Sequence, residues 1–71
     1  MARYSLIGVD GNAFAIIGYT QRALKRAGLF DKVSEMREKA MSGDYSNVIT
    51  TCDEYLDMAN EALGLDDEDE D

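Results

Sequence analysis

The chain has no histidine and a single cysteine among its 71 residues, and these two shortages exclude more chemistry than any motif supplies. Without histidine there is no Ser–His or Cys–His nucleophile, and no general base whose ordinary pKa lies near neutrality. With Cys52 alone, no disulfide forms within the chain and the usual zinc ligand sets cannot be assembled. A lone thiol fits a reducing compartment, so a cytoplasmic location is expected. Long apolar runs are also missing. The longest, Ala13 to Ile17, is far short of the ~20 residues that cross a bilayer. No signal peptide pattern is present and no membrane contact is expected.

Basic residues are absent after Lys39, which divides the net charge of −8 very unevenly. Residues 1–39 carry all seven bases against Asp10, Asp31, Glu35 and Glu38, a net of +3. Residues 40–65 carry five acids and no base, and Asp66 to Asp71 add six more acids. The reading is one small domain over residues 1–65, then an acidic tail over 66–71 with nothing to bury, expected to be disordered. A core this small rarely contributes more than ~3–5 kcal/mol. With disulfide and zinc excluded, a homo-oligomer is the expected support.

The expected fold is mainly α: a short N-terminal β-strand, three helices and the tail. Residues 3–9 mix β-formers without a helical stripe and predict the strand. A strand alone leaves its backbone groups unpaired, a second reason to expect self-association. Asp10-Gly11-Asn12 is a turn signal, with Gly11 offered for a positive φ and Asn12 or Asp10 as cap. The first helix spans about 13–27, with Ala13, Ile16, Ile17, Thr20, Ala23, Leu24 and Ala27 on one face and Phe14 on its flank. Gly28 stops it. The second spans about 31–42, capped by Asp31, with Val33, Met36, Ala40 and Met41 as its stripe and Glu35–Lys39 as an i,i+4 pair. The third spans about 45–63 between Asp44 and Gly64, on Tyr45, Val48, Ile49, Cys52, Leu56, Ala59 and Leu63. The β-branched run at residues 48–51 leaves a strand open there, though the long helical period favours helix.

Catalytic groupings are weak, and no enzyme is expected. The carboxylates Asp53 and Asp57 fall on the polar face of the third helix, where a solvated surface is the ordinary explanation. Cys52 lies on that helix's apolar stripe and reads as a small buried hydrophobe with no base nearby. No cofactor or metal site is indicated. The Gly8-to-Asn12 turn has a sharper reading, because N–H groups at a helix start attract anions. A nucleotide-like ligand is placed there, with Gly11, Asn12, Phe14, Tyr19, Arg22 and Arg26 as candidate contacts. The full dinucleotide-binding and Walker patterns are absent, and a purely structural turn is the plainer alternative. Arg22, Lys25, Arg26 and Lys32 are too few to indicate nucleic acid, and neutralisation by the acidic third helix or a neighbour's tail explains them more simply. Asp53, Asp57 and Glu61 are instead the candidate contacts for a basic partner protein.

The opening Gly8-Val9-Asp10-Gly11-Asn12-Ala13-Phe14, followed by Arg22-Ala23-Leu24-Lys25-Arg26-Ala27-Gly28 and later by Ser42-Gly43-Asp44-Tyr45, resembles a family of small proteins encoded by phages and prophages, whose two motifs are the opening and the Ser-Gly-Asp-Tyr run. The resemblance covers roughly residues 4–56. After the second motif many relatives turn strand-like, whereas this chain continues in a helical pattern. The resemblance implies phage origin and brings no activity with it. Small phage proteins without catalytic groups commonly act by binding. The expected function is therefore to counter a host defence pathway, by sequestering a nucleotide-like signal or blocking a host protein. The alternative is a structural or regulatory phage component with no small-molecule ligand.

Overall fold

In the computed structural model, which describes residues 3–65, three helices wind up, down and up: α1 (Ala13–Arg26), α2 (Asp31–Ala40) and α3 (Tyr45–Leu63). Local signals set most of their ends. Asn12 caps α1 by accepting from the N–H groups of Phe14 and Ala15, and Asp44 caps α3 by accepting from Asn47 N–H. Gly28 (φ 77°) and Gly64 (φ 72°) take the left-handed conformation after α1 and α3. Each begins a closing loop, with Leu29 N–H reaching Leu24 carbonyl at 2.8 Å and Leu65 N–H reaching Asn60 carbonyl at 2.7 Å. The β-branched residues 48–51 are helical.

The second helix ends at Ala40, two residues before the expected limit, and its N-cap position is Phe30, which makes no side-chain capping bond. Asp31 is the first helical residue instead. The early end has a cause in α3. Asn47 Nδ2 donates to the carbonyls of Lys39 at 2.7 Å and Ala40 at 3.2 Å, so carbonyls that would continue the helix are already satisfied. This approach requires Gly43: a Cβ there would lie 3.0 Å from Asn47 Cβ.

The N-terminal β-strand expected at residues 3–9 is not formed, and there is no strand among the described residues. The segment lies against the helices, running back along α3 from Asn60 towards Tyr45, and side chains replace a strand partner. Asn60 Oδ1 accepts from Tyr4 N–H at 2.7 Å while Asn60 Nδ2 donates to Tyr4 carbonyl at 2.9 Å. Ser5 N–H donates to the Tyr19 hydroxyl at 3.1 Å, and Arg3 pairs with Asp57 at 2.8 Å. A turn at Leu6–Val9 then carries Gly8 at φ 84°. Positive φ thus falls on Gly8, and Gly11 does not need it.

The core joins Ile16, Ile17, Ala23 and Leu24 of α1, Met36 and Ala40 of α2, and Val48, Cys52, Tyr55, Leu56 and Ala59 of α3. Tyr4, Leu6 and Val9 of the N-terminal segment pack on its edge. The polar residues buried in the core have partners: Thr20 Oγ1 donates to Ile16 carbonyl at 2.9 Å, Thr51 Oγ1 to Asn47 Oδ1 at 3.5 Å, and Asn60 holds Tyr4. Tyr55 is 1% exposed and donates its hydroxyl to Glu35 at 2.5 Å. Lys39 lies over the Tyr55 ring, 5.6 Å from its centre, rather than pairing with Glu35. Glu35 instead meets Lys32 at 3.8 Å. Among the described residues, no helix is long and apolar enough to cross a membrane. The acidic tail expected over 66–71 lies outside the described residues.

Candidate functional site

The two sequence motifs meet in space. Asp10 Oδ1 accepts from Asn12 N–H at 2.9 Å, and the Asn12 side chain then takes the N–H groups of Phe14 and Ala15. Gly11 carbonyl accepts from the Tyr45 hydroxyl, which joins the start of α1 to the start of α3. The N–H groups of Asn12, Phe14 and Ala15, which an anion at this helix start would use, are therefore engaged within the chain. Phe14 stands beside them, 73% exposed. Gly11, Asn12 and Phe14 form a structural junction, one end of a helix away from the basic residues.

A different set of side chains converges at the other end of α1. Tyr4, Tyr19, Arg22, Lys25 and Arg26 line a groove of about 480 Å³. Tyr19, Arg22 and Arg26 follow one another at helical spacing on the outward face of α1. Tyr4 forms the facing wall because Asn60 fixes its backbone. The rings of Tyr4 and Tyr19 meet edge to face, with centres 5.7 Å apart and planes at 70°. Tyr19 is held further by the bond from Ser5, so the aromatic floor is set by contacts on both rings.

Electrostatics favour an anion in this groove. Among the described residues, the ion pairs are Arg3–Asp57 and Lys32–Glu35, so Arg22, Lys25 and Arg26 have no carboxylate partner there. Lys25 and Arg26 lie in the last turn of α1, where the helix dipole holds cations in place. Arginine presents a planar fork that meets phosphate oxygens in pairs and stacks on rings, and the tyrosines offer edges and faces for a flat base. Three of the six candidate ligand contacts, Tyr19, Arg22 and Arg26, come together here. Tyr4 and Lys25 complete the set. Tyr4 belongs to the segment whose composition predicts a strand, and its pairing with Asn60, 56 residues away, together with the Ser5–Tyr19 bond, brings it to α1.

The acidic face is less free than the sequence suggests. Asp53, Asp57 and Glu61 are exposed at four-residue spacing on α3, but Asp57 is bound to Arg3. Cys52 is buried. Burial pushes its thiol pKa up, the Thr20 hydroxyl opposes this and the nearby Asp53 charge adds to it. A thiol so placed is a poor nucleophile. Among the described residues, no three His, Cys, Asp or Glu side chains come together as a metal ligand set. No protein-family model, curated protein or solved structure matches the chain.

Proposed function

We propose that this is a non-enzymatic, phage-encoded binding protein that counters a host defence pathway by taking up a nucleotide-like anionic signal. The observation that carries the reading is the groove in which Arg22, Lys25 and Arg26 stand without carboxylate partners among the described residues, beside two edge-packed tyrosines. It offers charge for phosphate and aromatic surface for a base, and it needs no catalytic group. Self-association belongs to the same proposal. The small core argues for it, as do Ile7, Phe14, Met41 and Tyr45, which leave apolar side chains exposed. The backbone of residues 3–9 argues for it less than a lone strand would, since Asn60 and Tyr19 take the polar groups of Tyr4 and Ser5 and a local turn takes those of Ile7 and Val9.

The alternative mode of action, in which Asp53, Asp57 and Glu61 block a basic host protein, has less support because Asp57 is engaged by Arg3. A phage component without a ligand remains the rival class. Native mass spectrometry of protein purified from bacterial cells separates them. The expected result is a nucleotide-sized adduct that denaturation releases. Titration of the emptied protein with ATP and with a cyclic dinucleotide then tests the groove directly. Arg22→Ala and Arg26→Ala should each weaken binding roughly tenfold to a hundredfold, the loss expected for a hydrogen bond to a charged group. No adduct, together with no saturable binding of either probe, would reject the sequestration reading.

A further inference from the structure

The ends of α1 and α3 are electrostatically opposite. The last turn of α1 carries Lys25 and Arg26, whereas the last turn of α3 carries no base. After Gly64 and Leu65, which follow the end of α3, come six successive acids, Asp66 to Asp71. Negative charge at the negative end of a helix is unfavourable, so these acids gain by meeting cations elsewhere. The chain leaves α3 close to such cations. Leu65 N–H bonds the carbonyl of Asn60, and the side chain of that same Asn60 holds Tyr4, one wall of the basic groove.

We propose that the chain's own acidic run, Asp66 to Asp71, seats in the groove of Tyr4, Tyr19, Arg22, Lys25 and Arg26 and competes there with anionic ligands. Length permits it. Six extended residues reach ~20 Å, while the groove face of α1 from Tyr19 to Arg26 rises only ~10 Å. Charge selects it. The other cations of the described residues are engaged or scattered: Arg3 with Asp57, Lys32 with Glu35, Lys39 over Tyr55, and Arg37 by itself on α2. Among the described residues, only on α1 do three stand together without a carboxylate partner. The tail then acts as a built-in competitor, so that only a ligand with denser charge or better stacking displaces it. That regulatory consequence rests on the anion-binding reading above, whereas the contact itself does not.

The test uses the full chain and a variant of equal length whose tail is neutral: D66N, D67N, E68Q, D69N, E70Q and D71N together. Amide NMR spectra of the two, recorded without ligand at low salt, should differ at Tyr4, Tyr19, Arg22, Lys25 and Arg26. The differences should vanish near ~0.5 M salt, where screening acts within a few ångströms. They should also be independent of protein concentration. Unchanged groove amides, or differences centred on Arg37 and Lys39, would overturn the proposal. Differences that fade on dilution would overturn it as well, by assigning the tail to a second copy. With ATP as probe, a tail seated in about nine molecules of ten predicts roughly tenfold tighter binding by the neutral variant. Groove shifts with no copurified adduct and no binding of ATP or of a cyclic dinucleotide by either form would sink the sequestration reading and leave the tail contact standing.

Discussion

Asn60 decides the course of the N-terminal segment. It is 3% exposed, and its amide gives Tyr4 both an acceptor and a donor, as a neighbouring strand would. Asn60→Ala removes both bonds and leaves two backbone groups without partners. At about 1–1.5 kcal/mol per bond, a loss of ~2–3 kcal/mol is expected from urea unfolding, with Tyr4 released from the groove. Asn60→Asp keeps the acceptor but sets a buried carboxylate oxygen against the Tyr4 carbonyl, and should cost at least as much as Asn60→Ala at neutral pH. Tyr55, also on α3, joins that helix to Glu35 of α2. Burial first, then the hydrogen bond and charge of Glu35, push its pKa up to about 12. A raised folded pKa gives stability that is complete below the unfolded value of about 10 and is lost as pH rises through the folded value. The Glu35 carboxyl is held below its ordinary range, chiefly by the same hydrogen bond, so its contribution is present above that range and fades as the solution is acidified. Tyr55→Phe should therefore flatten both flanks of a urea-midpoint profile against pH. An unchanged acid flank would show that Glu35 gains nothing from Tyr55.

At the scale of elements, the start of α1 and the groove near its end are separable. Asn12→Ala removes the cap and should cost about 1 kcal/mol in thermal or urea unfolding, while leaving anion affinity unchanged. A parallel loss of affinity would return the ligand to the Gly11 turn. The helices were legible wherever their signals were local. Asp44 and Gly64 bracket α3 at the expected residues, and Asn12 and Gly28 bracket α1 to within one. The failures came from distant partners. The β-forming residues of Arg3–Val9 do adopt non-helical backbone, but whether such backbone joins a sheet depends on what meets its N–H and C=O groups. Here those partners are Asn60 and Tyr19, which no local pattern announces. The end of α2 was misplaced for the same reason, through Asn47. Half of the groove was legible because Tyr19, Arg22 and Arg26 repeat on one helix, and Tyr4 was not because it arrives from elsewhere in the chain.

Over the whole molecule, charge and apolar surface are sorted along the bundle. Three of the seven cations gather towards the end of α1, carboxylates line α3 and follow it in sequence, and Phe14 and Tyr45 stay exposed where α1 and α3 begin. The fold is thin, with principal extents of 36 × 25 × 14 Å, so few side chains lie deep and each fixed contact counts for more. One contact also governs connectivity. The side chain of Asn60 holds Tyr4 and its carbonyl holds Leu65, so both ends of the described chain gather on a single residue. A covalent ring closed across that gap would leave the helices where they are and restrict only the denatured chain. For a loop of this length such restriction is worth up to ~4 kcal/mol, obtained by changing the topology of the backbone and not one side chain.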